Sequence, residues 1–195
     1  MSNSLKIATG ITLISLGIIA LMRRKVNGEP TLLTTINYYP EYDMSQNSNL
    51  PRGYRNNNPL NIRIGSSAWR GKVTPNTDGT FEQFSDLVYG YRAALVLLRG
   101  KAYINGGYNT IEKIITKWAP ESDGNYTTNY IANVSRLSGI DKDAVISRND
   151  KDALCKIVYA MSISENGYKD KAGNDIYATY GLPSMNIINL AWSKI

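Results

Sequence analysis

The stretch that decides the reading is Arg52-Gly53-Tyr54-Arg55-Asn56-Asn57-Asn58-Pro59-Leu60-Asn61-Ile62-Arg63. Three consecutive asparagines ahead of a proline are a poor start for a helix. Asparagine tolerates left-handed backbone and bonds to its own neighbourhood, so the run predicts a structured turn rich in amide donors and acceptors. Amides suit the hydroxyl and acetamido groups of amino sugars, which makes Asn57, Asn58 and Asn61 candidate substrate contacts. Arg55 and Arg63 are suited to meet a carboxylate. The plainer reading of the same residues is an asparagine-stabilised loop that feeds the next element.

Downstream of the turn, Ile62 to Phe84 is short, glycine-punctuated and partly alternating, which predicts a small β-hairpin. Helical spacing then dominates. Ser85 is placed to cap a helix reaching about Tyr103, with Leu87, Tyr91, Leu95 and Leu98 on one stripe. Asn109 and Glu112 have capping-box spacing ahead of Ile111, Ile114, Ile115 and Trp118, until Pro120 stops the run. Asn125 opens a third helix with Tyr126, Tyr130, Val134 and Leu137 inward and Gly139 as terminator. Asn149 opens a fourth, striped by Leu154, Ile157, Val158 and Met161 and stopped by Asn166-Gly167. Ser184 starts the last, with Ile187, Ile188, Ala191 and Trp192 apolar. The sum is an α+β domain, mainly α, with five helices and a minor β element.

Upstream, Ile7 to Met22 is uncharged, dense in Ile and Leu, and closed by Arg23-Arg24-Lys25. With Leu5 and a snorkelling Lys6 it reaches the lower limit of a membrane span, about 17 residues. A cleavable signal is the competing reading, but three cations stand where a small-residue cleavage site belongs. The expected organisation is an N-terminal transmembrane anchor with its basic flank over 1–25, a flexible linker over 26–50, and a folded domain over 51–195. The partner of residues 5–22 would be a lipid membrane.

Composition narrows the chemistry. The 195 residues are 43% hydrophobic with a net charge of +6, contain no histidine, and hold a single cysteine, Cys155. That excludes histidine-based nucleophile systems, paired-histidine zinc sites, cysteine-rich metal sites and internal disulfides. No metal or other cofactor is expected. Cys155, set among Leu154, Ile157 and Val158, reads as an inert core thiol. Carboxylates are left as the chemical groups. The basic body suits any polyanionic surface, but no helix-turn-helix, zinc or stacking-platform signature supports nucleic acid as a partner.

Among the carboxylates, Glu165 is singled out by its place in the last turn of the helix that begins near Asp150. The helix dipole disfavours a negative charge there, and a sequence built for stability more often puts Lys or Arg in that turn. Apolar Met161 and Ile163 nearby act in the same direction and raise the acid's pKa. A carboxylic acid still protonated near neutrality is what a glycosidic oxygen needs from a proton donor. The bland alternative is a solvated end residue paired with Lys169. A second acid is harder to choose. Asp78, Glu82 and Asp86 surround the expected hairpin, and Glu82 and Asp86 also read as ordinary surface residues.

The asparagine string, with Trp69-Arg70-Gly71, Asp78, Phe81-Glu82-Gln83-Phe84, Gly90-Tyr91-Arg92-Ala93, Trp118-Ala119-Pro120 and Glu165-Asn166-Gly167, resembles a phage-associated family of lysozyme-like proteins. The likeness runs from Arg52 through the last helix. A looser similarity joins Asn57 to Arg63 and Phe81 to Phe84 with blocks of bacterial glucosaminidases, in which the catalytic Glu precedes the Asn-Asn block. Here Glu165 follows it, so the resemblance implies a circularly permuted lysozyme-like domain.

What the resemblance implies is a membrane-anchored virion enzyme of the lytic transglycosylase or muramidase type. Such an enzyme would cut the MurNAc-GlcNAc linkage of peptidoglycan glycan strands during phage entry, from the virion membrane or from the host cell membrane during assembly. Glu165 would be the general acid and base, with Arg55, Asn57, Asn58, Asn61, Arg63, Glu82 and Tyr168 touching substrate. Tyr168, close to a helix end, would stack on a sugar face. The alternative is a non-catalytic virion membrane protein or glycan-binding module of the same fold, in contact with other virion proteins.

Overall fold

A computed structural model describes residues 24–26, 29–31 and 42–195 of the chain. The expected anchor over 5–22 therefore lies outside the described residues, and among those described no helix is long and apolar enough to cross a membrane. Arg24–Val26 (β1) and Glu29–Thr31 (β2) pair antiparallel, Arg24 opposite Thr31 and Val26 opposite Glu29. This pair falls at the junction of the expected basic flank and linker, where no regular structure is predicted.

Tyr42–Ile195 forms one compact unit, so the folded body begins before Pro51. Residues 42–50 belong to it rather than to a linker. Tyr42 N–H donates to Asp86 Oδ2 at 2.7 Å, Met44 N–H to Asn57 Oδ1 at 2.8 Å, and Leu50 is fully buried. These contacts run through the backbone, which explains why a polar, aperiodic segment gives no sign of them in its sequence pattern.

The helices follow the apolar stripes. They are Arg52–Arg55 (α1), Leu87–Arg99 (α2), Ile111–Trp118 (α3), Thr127–Ser138 (α4), Lys151–Asn166 (α5), Ile176–Tyr180 (α6) and Met185–Ser193 (α7). The short α1 and α6 lie beyond the reach of periodicity, since a helix of four or five residues has no repeat to display. Four starts shift by one residue. Asp86, Thr110 and Asp150 each accept a backbone N–H from the first turn of α2, α3 and α5, in place of Ser85, Asn109 and Asn149, and Tyr126 replaces Asn125 ahead of α4. Neighbouring residues of similar capping chemistry cannot be told apart by pattern alone.

Helix α5 lies against both α4 and α7, and α2 packs on α7. Leu154, Ile157, Val158 and Met161 of α5 are fully buried, as are Leu95 and Leu98 of α2 and Ile114 and Ile115 of α3. Each such side chain contributes about 1.5–3 kcal/mol on leaving water. Cys155 is buried with them, and burial pushes its thiol up. In the middle of this apolar layer Tyr91 on α2 and Ser162 on α5 share a hydroxyl hydrogen bond of 2.9 Å.

The expected hairpin between Ile62 and Phe84 is reduced to isolated bridges, Arg63 with Phe81 and Lys72 with Phe84. Side chains take up the backbone donors that a ladder would need. Asn76 Oδ1 accepts from Asp78 and Gly79, and Asp78 Oδ1 accepts from Thr80 and Phe81. The body is mainly α.

Candidate active site

The asparagine run forms the turn that its composition predicts. Asn57 and Asn61 both sit at φ 50°, in the left-handed region that asparagine tolerates better than most residues. Two glycines allow this turn to be gripped from either side. A Cβ on Gly90 of α2 would overlap the carbonyl oxygen of Asn57, and a Cβ on Gly53 of α1 would overlap Oδ1 of Asn166. Only glycine permits so close an approach at these positions.

The asparagines divide into two groups. Asn56, Asn57 and Asn58 are buried, and their amides hold the turn together. Asn57 Nδ2 donates to Asp43 Oδ1 and the Phe84 carbonyl, while Asn58 Nδ2 donates to the carbonyls of Ile62 and Glu82. The proposal that Asn57 and Asn58 touch substrate fails on this geometry, because their polar atoms are already engaged inside the protein. Asn61 differs. It is only partly buried, and its Nδ2 donates at 2.9 Å to Oε2 of Glu165, 104 residues away in the chain.

Glu165 stands in the last turn of α5 with three neutral donors around it. Besides Asn61, Trp118 Nε1 reaches Oε1 at 3.1 Å and the Tyr130 hydroxyl reaches the same oxygen at 2.8 Å. No cation pairs with it among the described residues, Lys169 included. Burial raises the Glu165 carboxyl above its ordinary value of 4.5, against the opposing pull of the Asn61, Tyr130 and Trp118 donors. The α5 terminus adds a further push in the same direction. Oε1 has two partners and Oε2 one, so the free lone pair, and the natural seat of a proton, is on Oε2.

The neighbours of Glu165 complete the fixture. Asn166 Nδ2 donates to the carbonyls of Pro59 and Ser162 and so staples the end of α5 to the asparagine turn. Gly167, at φ 72°, then takes the chain out of the helix. The triplet thus has one residue for the acid, one for its anchorage and one for the exit.

Trp118 and Tyr130 are donors that the sequence does not single out. Periodicity places Tyr130 in the core stripe of α4; its ring is indeed sheltered, but its hydroxyl serves Glu165. Burial, and next the nearby Glu165 carboxylate, push the Tyr130 phenol up, so it remains a donor. Trp118 packs its ring 5.8 Å from that of Tyr103. Its signals in the sequence are the apolar stripe of α3, which reads as core, and the Trp118-Ala119-Pro120 block; neither points to Glu165. Tyr126, expected inward on the same stripe, is 84% exposed.

The remaining candidates make no hydrogen bond or ion pair to the acid. Glu82 is fully buried, with Lys72 Nζ at 2.9 Å and Gly65 N–H at 3.1 Å, so it is neither a surface residue nor open to substrate. Asp78 is gripped by Arg52 through Nε and Nη2, and Asp86 caps α2. Arg55 donates to the Leu50 carbonyl and borders a polar cavity of about 440 Å³ shared with Asp43, Gln46 and Gln83, of which Glu165 is not a part. Arg63 is exposed, two residues beyond Asn61. Tyr168 is also exposed and makes no side-chain hydrogen bond to the acid or its three donors.

No protein-family model matches the chain. Over 119 residues it is 41% identical to Protein P5 of Pseudoalteromonas phage PM2, a match that covers 60% of this chain and 71% of that protein. On that extent of likeness, the chain belongs to the family of the phage PM2 Protein P5.

Proposed function

We propose that this phage protein is a virion-associated enzyme that cleaves the glycan strand of peptidoglycan, with Glu165 as its single acid and base. The observation that carries the reading is the environment of Glu165: a carboxyl at the negative end of α5, raised by burial, oriented by three neutral donors and, among the described residues, paired with no cation. Neutral donors fix the position of the group without fixing its charge, which is what a proton-transfer residue requires.

In the reaction the protonated Oε2 gives its proton to the bridging glycosidic oxygen as the bond from C1 to that oxygen breaks. The carboxylate then takes a proton from the attacking hydroxyl, either the sugar's own 6-hydroxyl or a water, as the new bond to C1 forms. Asp78, Glu82 and Asp86 are each engaged elsewhere. A mechanism with one carboxylate, assisted by the substrate's N-acetyl group, therefore fits better than a two-carboxylate pair. The lysozyme-like ancestry suggested by the sequence blocks, and an N-terminal membrane anchor built on Ile7 to Met22, belong to the same proposal.

The experiment is digestion of purified cell walls by the full chain in detergent, with and without Glu165→Gln. Release of soluble muropeptides is expected from the native protein and to fall by ~10²–10⁴-fold in the variant. The new amide is accommodated if Asn61 turns over, because its Oδ1 has no partner and can accept from it. Equal release by both proteins removes Glu165 from the mechanism. The mass of the products, which differ by one water, separates hydrolysis from anhydro-sugar formation.

A further inference from the structure

Two chain segments carry the donors to Glu165, and they approach each other a second time. Arg63 lies two residues beyond Asn61. Asp123 lies in the loop between Trp118 at the end of α3 and Tyr130 in α4. Arg63 Nη2 stands 3.9 Å from Asp123 Oδ2, with 73% and 52% of the two side chains exposed. That separation is too long for a hydrogen bond, and a solvated pair of this kind is worth little. Among the described residues the guanidinium donates no hydrogen bond, so its fork of donors is open to a ligand. The same loop and the start of α4 form an open recess of about 310 Å³, lined by Glu121, Asn125, Tyr126 and Thr127 among others but not by Asp123 itself. The widely exposed Tyr126 lies one helical turn before Tyr130, whose hydroxyl is on the acid.

We propose that Arg63 recognises a carboxylate of the wall polymer and that Asp123 holds its place until substrate arrives. A planar guanidinium binds a carboxylate with two parallel hydrogen bonds, a geometry the 3.9 Å contact does not achieve. A substrate carboxylate takes the guanidinium with better bonding, and the displaced Asp123 carboxylate, half exposed, is left to water. This inference rests on the reading of Glu165 as a glycan-cleaving acid, because only then do the two segments that carry its donors, Asn61 on one and Trp118 and Tyr130 on the other, serve a site for a glycan strand. The carboxylate can come from the lactyl group of peptide-free strands or from the stem peptide.

Sedimentation of the full chain with purified walls tests this without requiring cleavage. Arg63→Gln is expected to weaken binding about tenfold, the weight of one charge-assisted hydrogen bond. Lys151→Gln removes the same charge from an exposed position at the start of α5 and is expected to change binding less than twofold, roughly the exposed-charge range. Asp123→Asn is expected to bind at least as tightly as the native chain, since a competing carboxylate has gone. Walls with amidated carboxyls should bind the native chain as weakly as Arg63→Gln binds intact ones. Retention of the Arg63 effect on peptide-stripped strands assigns the lactyl carboxylate; its confinement to peptide-bearing walls assigns the stem peptide.

The proposal is overturned if Arg63→Gln binds like the native chain, if Lys151→Gln costs as much, or if Asp123→Asn loses binding in parallel with Arg63→Gln. A native chain that binds walls through Arg63 but releases nothing from them overturns the reading of Glu165 instead.

Discussion

The asparagine turn has a carboxylate at each end, and the two are treated in opposite ways. At one end Asn56 Nδ2 donates to Asp78, which also receives both arms of Arg52. The guanidinium, with Asn56 and two backbone N–H groups behind it, holds the Asp78 carboxyl well below the usual carboxylate range despite partial burial. At the other end Asn61 Nδ2 donates to Glu165, where burial without a cation shifts the carboxyl upward. The amide contact is the same at both ends. A cationic partner makes a permanent anion that fastens a loop, whereas neutral partners leave an acid free to gain and lose a proton.

The largest expected effect tests the structural half of that contrast. Gly90→Ala sets a methyl against the Asn57 carbonyl, a backbone atom with little freedom to retreat. It is expected to cost about 3 kcal/mol or more, read as a lower denaturation midpoint at unchanged slope. Asp78→Asn comes next, at about 1–3 kcal/mol at pH 7, with cleavage per folded molecule preserved. The sign follows from the lowered carboxyl. Its stabilisation is fully present above the unfolded value of 3.8 and is lost as pH falls through the lower folded value, so native and variant curves converge only in that acid window. A similar loss of cleavage in Asp78→Asn and Glu165→Gln would erase the distinction between the two ends.

The smallest effect sharpens the catalytic half. On the proposed mechanism Glu165 acts in its protonated form, so cleavage is expected to fall as pH rises through its elevated pKa. The Tyr130 hydroxyl is one of the donors pulling that value down. Tyr130→Phe is therefore expected to move the alkaline limb of the pH–rate profile to higher pH, with a modest change in maximal rate. A shift to lower pH would mean that the phenol acts on Glu165 in some other way.

Much of this was legible in the chain itself. The apolar stripes locate the long helices, Asn57 and Asn61 adopt the left-handed backbone their residue type allows, and Glu165 ends its helix where the dipole opposes a charge. Each of these is a property of neighbours in sequence: spacing, backbone preference, position relative to a helix end.

Tertiary packing decided the rest. It joined Asn61 to Glu165, brought in Trp118 and Tyr130, and gave Tyr42 to Leu50 to the folded body. It also separated residues that look alike, turning Asn57 and Asn58 inward while leaving Asn61 for the acid, and burying Glu82 against Lys72. A side-chain amide or carboxyl bonds to whatever long-range packing sets beside it, and the physical reason this stays hidden in a sequence is that the partner lies tens of residues away, chosen by the shape of the core rather than by local composition.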